Sequence, residues 1–275
     1  MKTFSKASIF VAALLAAVTL CRAQEVPRSG ELPFDFGEKV NYSVSYNWLG
    51  VMTDVAGAYT LVRNDGGLYN MVLYAKTAKF FDAFFKVLED YESWTDGDLN
   101  LRKGSRESHE GSYWAFNTKT YAADGKSVHV EMNKSSKGQK TLDVALDRKT
   151  YDLPSILYYV RTIDASTLKV GEALPVQYLH DDGVTKLYLS YKGIENKYLK
   201  GVGTVRCHKY SLTVVSDDAM FDGSEDASLW LSDDDNRLLV YFRAPLKIGA
   251  VAGRMTSCEG TKYPFDSLIS EKRVR

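Results

Sequence analysis

One stretch of this 275-residue chain carries a sustained helical period, and nearly everything around it does not. In residues 152–164, DLPSILYYVRTID, the apolar side chains Leu153, Ile156, Leu157, Val160 and Ile163 recur at i, i+3, i+4, i+7 and i+10. That spacing stacks them on one face of a helix of about three turns. Asp152 can accept the orphan N–H groups at its start, and Pro154 is tolerated there because first-turn amides have no intrahelical partner. A lone amphipathic helix must lay its apolar stripe on something, and the surrounding sequence offers only strands.

Those strands are marked by period two. Val40, Tyr42, Val44, Tyr46 and Trp48 alternate with Asn41, Ser43, Ser45 and Asn47, which gives one apolar and one polar face. Residues 54–63 and 68–77 continue the pattern, joined by Asn64-Asp65-Gly66-Gly67, residues that readily supply the positive φ of a tight turn. Turn signals at Asp96-Gly97, Asp124-Gly125 and Lys137-Gly138 separate further strands. Residues 127–133 turn Val128, Val130 and Met132 one way, and 140–146 do the same with Leu142, Val144 and Leu146. Beyond the helix, 174–178, 185–191, 202–215, 227–231 and 238–243 read as strands, with hairpin turns at Asp181-Asp182-Gly183 and 232–236 and a last strand within 247–258. A sheet of this many strands must curl. The expected fold is mainly β: a large curved antiparallel sheet, or half-barrel, with one central helix packed in its concave face.

The N-terminus predicts export. Lys2 and Lys6 precede an apolar run over residues 9–20, and Cys21-Arg22-Ala23 places small side chains at the cleavage positions, so residues 1–23 read as a signal peptide. The run is shorter than the roughly 20 residues of a spanning helix, and no comparable run follows, so no transmembrane segment is expected in the mature chain. Lipidation at Cys21 is disfavoured because Leu20 stands where that signal wants a small residue. Losing Lys2, Lys6 and Arg22 with the leader tips a balance of 35 basic and 35 acidic residues slightly negative, which argues against nucleic acid or anionic lipid as partner. With no linker and no internal repeat, residues 37–258 are expected to form one domain, between a loosely held lead-in at 24–36 and a fraying tail at 259–275. Cys207 and Cys258 remain, either as two free thiols or as a disulfide worth roughly 4 kcal/mol in the chain-entropy model.

Chemical motifs are absent. The consecutive acids Asp233, Asp234 and Asp235 and the pair Asp218 and Asp222 do not match a calcium loop, and both read as solvated turns. His109, His129, His180 and His208 show no metal-binding spacing, and no GxSxG, GxxxxGK[ST] or GxGxxG occurs. The sequence nominates no catalytic residue, no metal ligand and no cofactor. One segment stands out, residues 79–88, KFFDAFFKVL, whose Phe80, Phe81, Phe84 and Phe85 share one side of a helix. They are expected either to fill the core or, if exposed, to form a lid or docking patch. Together with Ile156 and Val160 they are the candidate lining of an apolar ligand site.

The order of segments resembles a bacterial exported-protein family, domain of unknown function 3108. The likeness is carried by Phe36-Gly37-Glu38-Lys39, by residues 152–161, by Gly193-Ile194-Glu195, by residues 229–234 with Asn236 and Arg237, and by Lys247-Ile248-Gly249. The family has no established activity. The resemblance implies a curved antiparallel sheet akin to the half-barrel of periplasmic lipoprotein carriers and capsule-assembly lipoproteins, which hold acyl chains in the concavity. A non-enzymatic envelope protein follows as the expectation, in the periplasm or outer envelope of a Gram-negative bacterium, binding a lipid, a lipoprotein acyl chain or an envelope partner. A scaffold without ligand is the alternative, and a glycan or cell-wall hydrolase ranks last. An apolar pocket of several hundred Å³ between helix and sheet would separate carrier from scaffold.

Overall fold

The computed structural model describes residues 30–48, 51–82, 86–181, 183–215, 226–246 and 248–271. The signal-peptide segment, Phe84, Phe85, Asp182, Asp218, Asp222 and Lys247 therefore lie outside the described residues. The described strands form one sheet of sixteen. From β1 (Lys39–Trp48) a meander runs outward through β2 (Val51–Asp65), β3 (Leu68–Thr77), β4 (Val87–Thr95), β5 (Leu101–Glu110), β6 (Tyr113–Tyr121), β7 (Ser127–Lys134) and β8 (Gly138–Ala145). On the other side of β1 the order is reversed. There follow β15 (Ala250–Glu259), β14 (Leu239–Pro245), β13 (Ala227–Ser232), β12 (Gly203–Val215), β11 (Val184–Leu199), β10 (Ala173–Leu179) and β9 (Thr150–Tyr151). β16 (Leu268–Glu271) adds to β12, and β9–β10 is the one parallel pair.

Local chemistry sets the turns. Asp65 pairs with Leu68 across Gly66 and Gly67, whose φ values of 62° and 88° suit a hairpin turn that most side chains would strain, and Asn64 Oδ1 accepts from the Gly67 N–H. The two ends of the strand path, β8 and β9, are separated in the chain only by residues 146–149, so the sheet curls round until its edges approach each other.

The central helix spans Leu153–Tyr159 and tightens to a 3-10 turn over Val160–Thr162. It begins with a capping box: Asp152 accepts from the Ser155 N–H, and the Ser155 hydroxyl accepts from the Asp152 N–H. It is shorter than its apolar period because β-branched Thr162 and Ile163 follow, and the Thr162 hydroxyl takes the carbonyl of Tyr159. Of its stripe, Ile156, Val160 and Ile163 are buried among Val62, Met71, Leu174, Leu189 and Leu231 of the sheet, Leu153 and Leu157 are only partly buried, and Tyr158, off the stripe, is buried with them.

Both flanks differ from expectation. Phe34 is 1% exposed and sits edge-on to Tyr158 at 4.8 Å, so the lead-in helps to close the core. The tail pairs as β16, and Tyr263 and Ser267 bond to the turn after β13.

Candidate functional site

Of the residues nominated from sequence, Phe84 and Phe85 lie outside the described residues. Ile156 and Val160 are 7% and 3% exposed and committed to packing. The cavity at the helix–sheet seam, lined by Tyr42, Thr60, Leu157 and Arg161 among others, holds only about 10 Å³, room for one water at most. The described helix at Lys79 covers Lys79–Asp82, and strand β4 has begun by Val87, so Leu88 belongs to the sheet. Phe80 is 74% exposed and does not itself fill the core, while Phe81 is half-buried and meets Phe80 edge-on at 5.2 Å. Cys207 and Cys258 are free thiols. They stand on β12 and β15 with two strands between, about 14 Å at ordinary strand spacing, beyond disulfide reach. Burial pushes the Cys207 thiol up to about 12, which disfavours the thiolate. Among the described residues no His, Cys, Asp and Glu side chains converge to hold a metal.

Three of the motifs that carry the family resemblance, those of Glu38, Arg161 and Asp234 to Arg237, meet in a buried lock. Arg161 donates two hydrogen bonds to the Glu38 carboxylate, at 2.6 and 2.8 Å, and further ones to the carbonyls of Asn236 and Pro33. Arg237 donates back to the Arg161 carbonyl, and the Asn236 side chain bonds both ways with Tyr263. Asp234, expected in a solvated turn, accepts from Ser232, Asn236 and Ser267 and ties the tail to this lock. Its neighbour Asp233 takes the Nε2 of His208 at 2.7 Å and the Nε of Arg206 at 3.0 Å, and the Tyr191 hydroxyl lies 3.0 Å from the other His208 nitrogen. Burial lowers the His208 pKa, against the pull of Asp233.

A second buried network fastens the wing formed by β4–β8. Asp181, in the β10–β11 turn, accepts from Arg106 on β5 at 3.1 Å, from Asn117 on β6 at 2.9 Å and from Lys134 on β7 at 2.5 Å. Burial would raise its carboxyl, but His180, the Lys134 hydrogen bond and Arg106 hold it down at about 2. Lys119, on the same inner face, reaches the Leu179 carbonyl, and burial lowers its pKa.

Outside this network the wing carries a concavity. Cross-strand pairing puts Asp90, Glu107, Phe116, Asn133 and Gln139 in one row, and Glu92, Ser105, Thr118, Glu131 and Thr141 in the next. Between the rows a trough of about 560 Å³ crosses five strands, some 20 Å at ordinary spacing. Its walls are mostly polar, with the acids Asp90, Glu92, Glu107 and Glu131 beside the bases Arg106 and Lys140. Arg63 and Asn70 serve Glu92, and His109 serves Glu107, but the Asp90 Oδ1 is buried without a hydrogen-bond partner. Burial, then the neighbouring Glu92 and Glu107 carboxylates, push the Asp90 pKa up. Phe116 is partly exposed beside Trp114 and His109. Sequence reasoning passed over these acids because each lies on the polar face of a well-formed strand, and only cross-strand register brings them together.

Comparisons place this architecture. A family model for proteins of unknown function, DUF3108, matches residues 41–256. A β-barrel-like protein of domain of unknown function DUF1849 from Brucella abortus has a TM-score of 0.52 at 9% identity, over 82% of this chain and 97% of that one. A provisionally named lipoprotein from Parabacteroides distasonis aligns with a TM-score of 0.32 at 10% identity, over 83% and 97%. A provisionally named exported protein with a YmcC-like fold from Bacteroides fragilis aligns with a TM-score of 0.28 at 7% identity, over 83% and 98%. Only the first of these values supports a shared fold. No curated protein matches the chain. Matched over most of its length, the chain belongs to the DUF3108 family of proteins of unknown function.

Proposed function

We propose that this is a non-enzymatic docking protein of the bacterial cell envelope, one that engages a partner through the outer face of its β4–β8 wing and does not carry acyl chains in its concavity. The contrast in volume carries the reading. A seam cavity of about 10 Å³ offers no room for an acyl chain, whereas the outward trough offers about 560 Å³ lined by polar groups. The leader read at residues 1–23 supports export, and N-terminal sequencing of the mature protein tests it: a chain starting near Gln24 is expected. Solvent extraction of protein purified from its own host, followed by mass spectrometry, tests the docking reading. No stoichiometric lipid is expected, and a fluorescent fatty acid should not bind. Recovery of about one lipid per chain would overturn it.

A further inference from the structure

We propose that the cleft between β2, β15 and the far end of β11 binds a saccharide, stacking a sugar ring on Tyr198 and taking its hydroxyls on the Asp54–Arg254 pair. The site is separate from the trough of the wing, and the inference goes beyond the docking reading without resting on it.

Strand register builds the floor of this cleft. Ser45 on β1 stands opposite Asp54 of β2 on one side and Ala252 of β15 on the other, and Arg254, further along β15, stands opposite Tyr241 of β14. The turn after β11 is tied to this floor, because the Lys200 carbonyl accepts from Arg254 Nη1 at 3.2 Å. Between them lies a space of about 520 Å³, within the roughly 300–1,000 Å³ of ordinary ligand pockets. Tyr198, 56% exposed, and Met52, 48% exposed, line it with these residues.

The chemistry of the lining selects a polyol. Asp54 is fixed in place: its Oδ1 accepts from the buried Ser45 hydroxyl at 2.5 Å and its Oδ2 from Arg254 Nη2 at 2.5 Å. The Ser45 hydrogen bond first, then Arg254, hold its carboxyl below the usual carboxylate range. Carboxylate and guanidinium cancel in charge, so the pair offers preset acceptors and donors with little net attraction for a free ion. Lys200, exposed at the mouth, adds further donors. Tyr241 already has Lys197 Nζ 3.9 Å from its ring centroid, with the same ammonium 4.1 Å from that of Trp230, which leaves Tyr198 as the ring open to stacking. A sugar ring matches both features, since its C–H face lies on an aromatic ring while its hydroxyls donate to the carboxylate and accept from the guanidinium. An acyl chain does not, because it would strip water from the ion pair and return no hydrogen bond.

The test places the whole mature protein on an immobilised array of neutral and acidic oligosaccharides and measures the best binder by titration calorimetry. A defined set of glycans is expected to bind, with an affinity that persists in high salt because the charges of the floor are paired. Y198A and D54N should each lower that affinity by about tenfold or more. Y198F keeps the ring and should retain most of the affinity, and E131Q in the trough should leave it unchanged, with the circular dichroism spectrum of every variant matching the natural one. An array without a bound glycan, or equal binding by Y198A and the natural chain, would overturn the proposal. Binding that collapses in high salt would assign the cleft to an anion held by Arg254 and Lys200 and overturn it equally. The docking reading is decided by the lipid extraction and stands or falls apart from these results.

Discussion

Glu38 and Arg161 lie 123 residues apart and have almost no contact with water, at 0% and 4% exposure. Removing one partner strands the other charge in a medium that solvates it poorly, so E38Q is expected to cost about 3–5 kcal/mol in urea unfolding, with E38L/R161M less destabilised than either single change. His208 contributes through pH. Its folded pKa lies below the ordinary 6.5 because burial disfavours the cation, so the unfolded chain takes the proton first. Stability is therefore whole above about pH 6.5 and falls as the pH drops below it. His180, lowered by burial too, acts in the same direction. Urea midpoints measured from pH 8 to 5 should fall less steeply for H208Q than for the natural protein. The helix cap at Asp152 is legible from sequence because its partners are local, whereas the role of Glu38 is not, because its partner is set only by the closed fold.

At the level of elements, the central helix is held to the wing by one carboxylate. Asp152 caps its own helix and also accepts from Ser93 on β4, while Gly104 on β5 leaves the space that its other oxygen fills. A methyl group at Gly104 would stand 2.7 Å from the Asp152 Oδ2, closer than real contacts allow. G104A is expected to destabilise by about 1–3 kcal/mol, read as a lowered urea midpoint with an unchanged slope. D152A adds its own loss of about 1 kcal/mol for the cap. Here period serves the reader well: five apolar positions over eleven residues suffice to find this helix, and alternation finds nearly every long strand. It fails where the run is short. The four Phe residues of 79–88 span less than two turns, and the end of the run belongs to β4, where Leu88 pairs with Lys76 of β3 and Val87 with Glu110 of β5. β9 and β16, at two and four residues, are too brief to show any period and exist because a neighbouring strand offers its edge.

For the molecule as a whole, curling is a matter of which charges hold the ends of the sheet together. The curl itself is foreseeable from strand number, but the trough is not, because its acids come from separate hairpins and meet only when register is fixed. Asp181 links three successive strands of the wing to the β10–β11 turn, so it governs whether the outer face is presented as a rigid surface. D181N keeps the shape of the side chain and removes its charge, leaving Arg106 and Lys134 buried with less compensation. A loss of about 3 kcal/mol is expected at neutral pH, together with faster amide exchange in β5–β8 than in β11–β14. The pH dependence identifies the cause. The carboxyl titrates at about 2 in the folded protein against an ordinary 3.8, so its stabilisation is present above pH 3.8 and disappears as the pH falls through 2. The gap in stability between D181N and the natural chain should therefore close toward pH 2. A gap unchanged from pH 7 to 2 would assign the loss to altered packing instead, and would separate the rigidity of the wing from the charge that is argued to hold it.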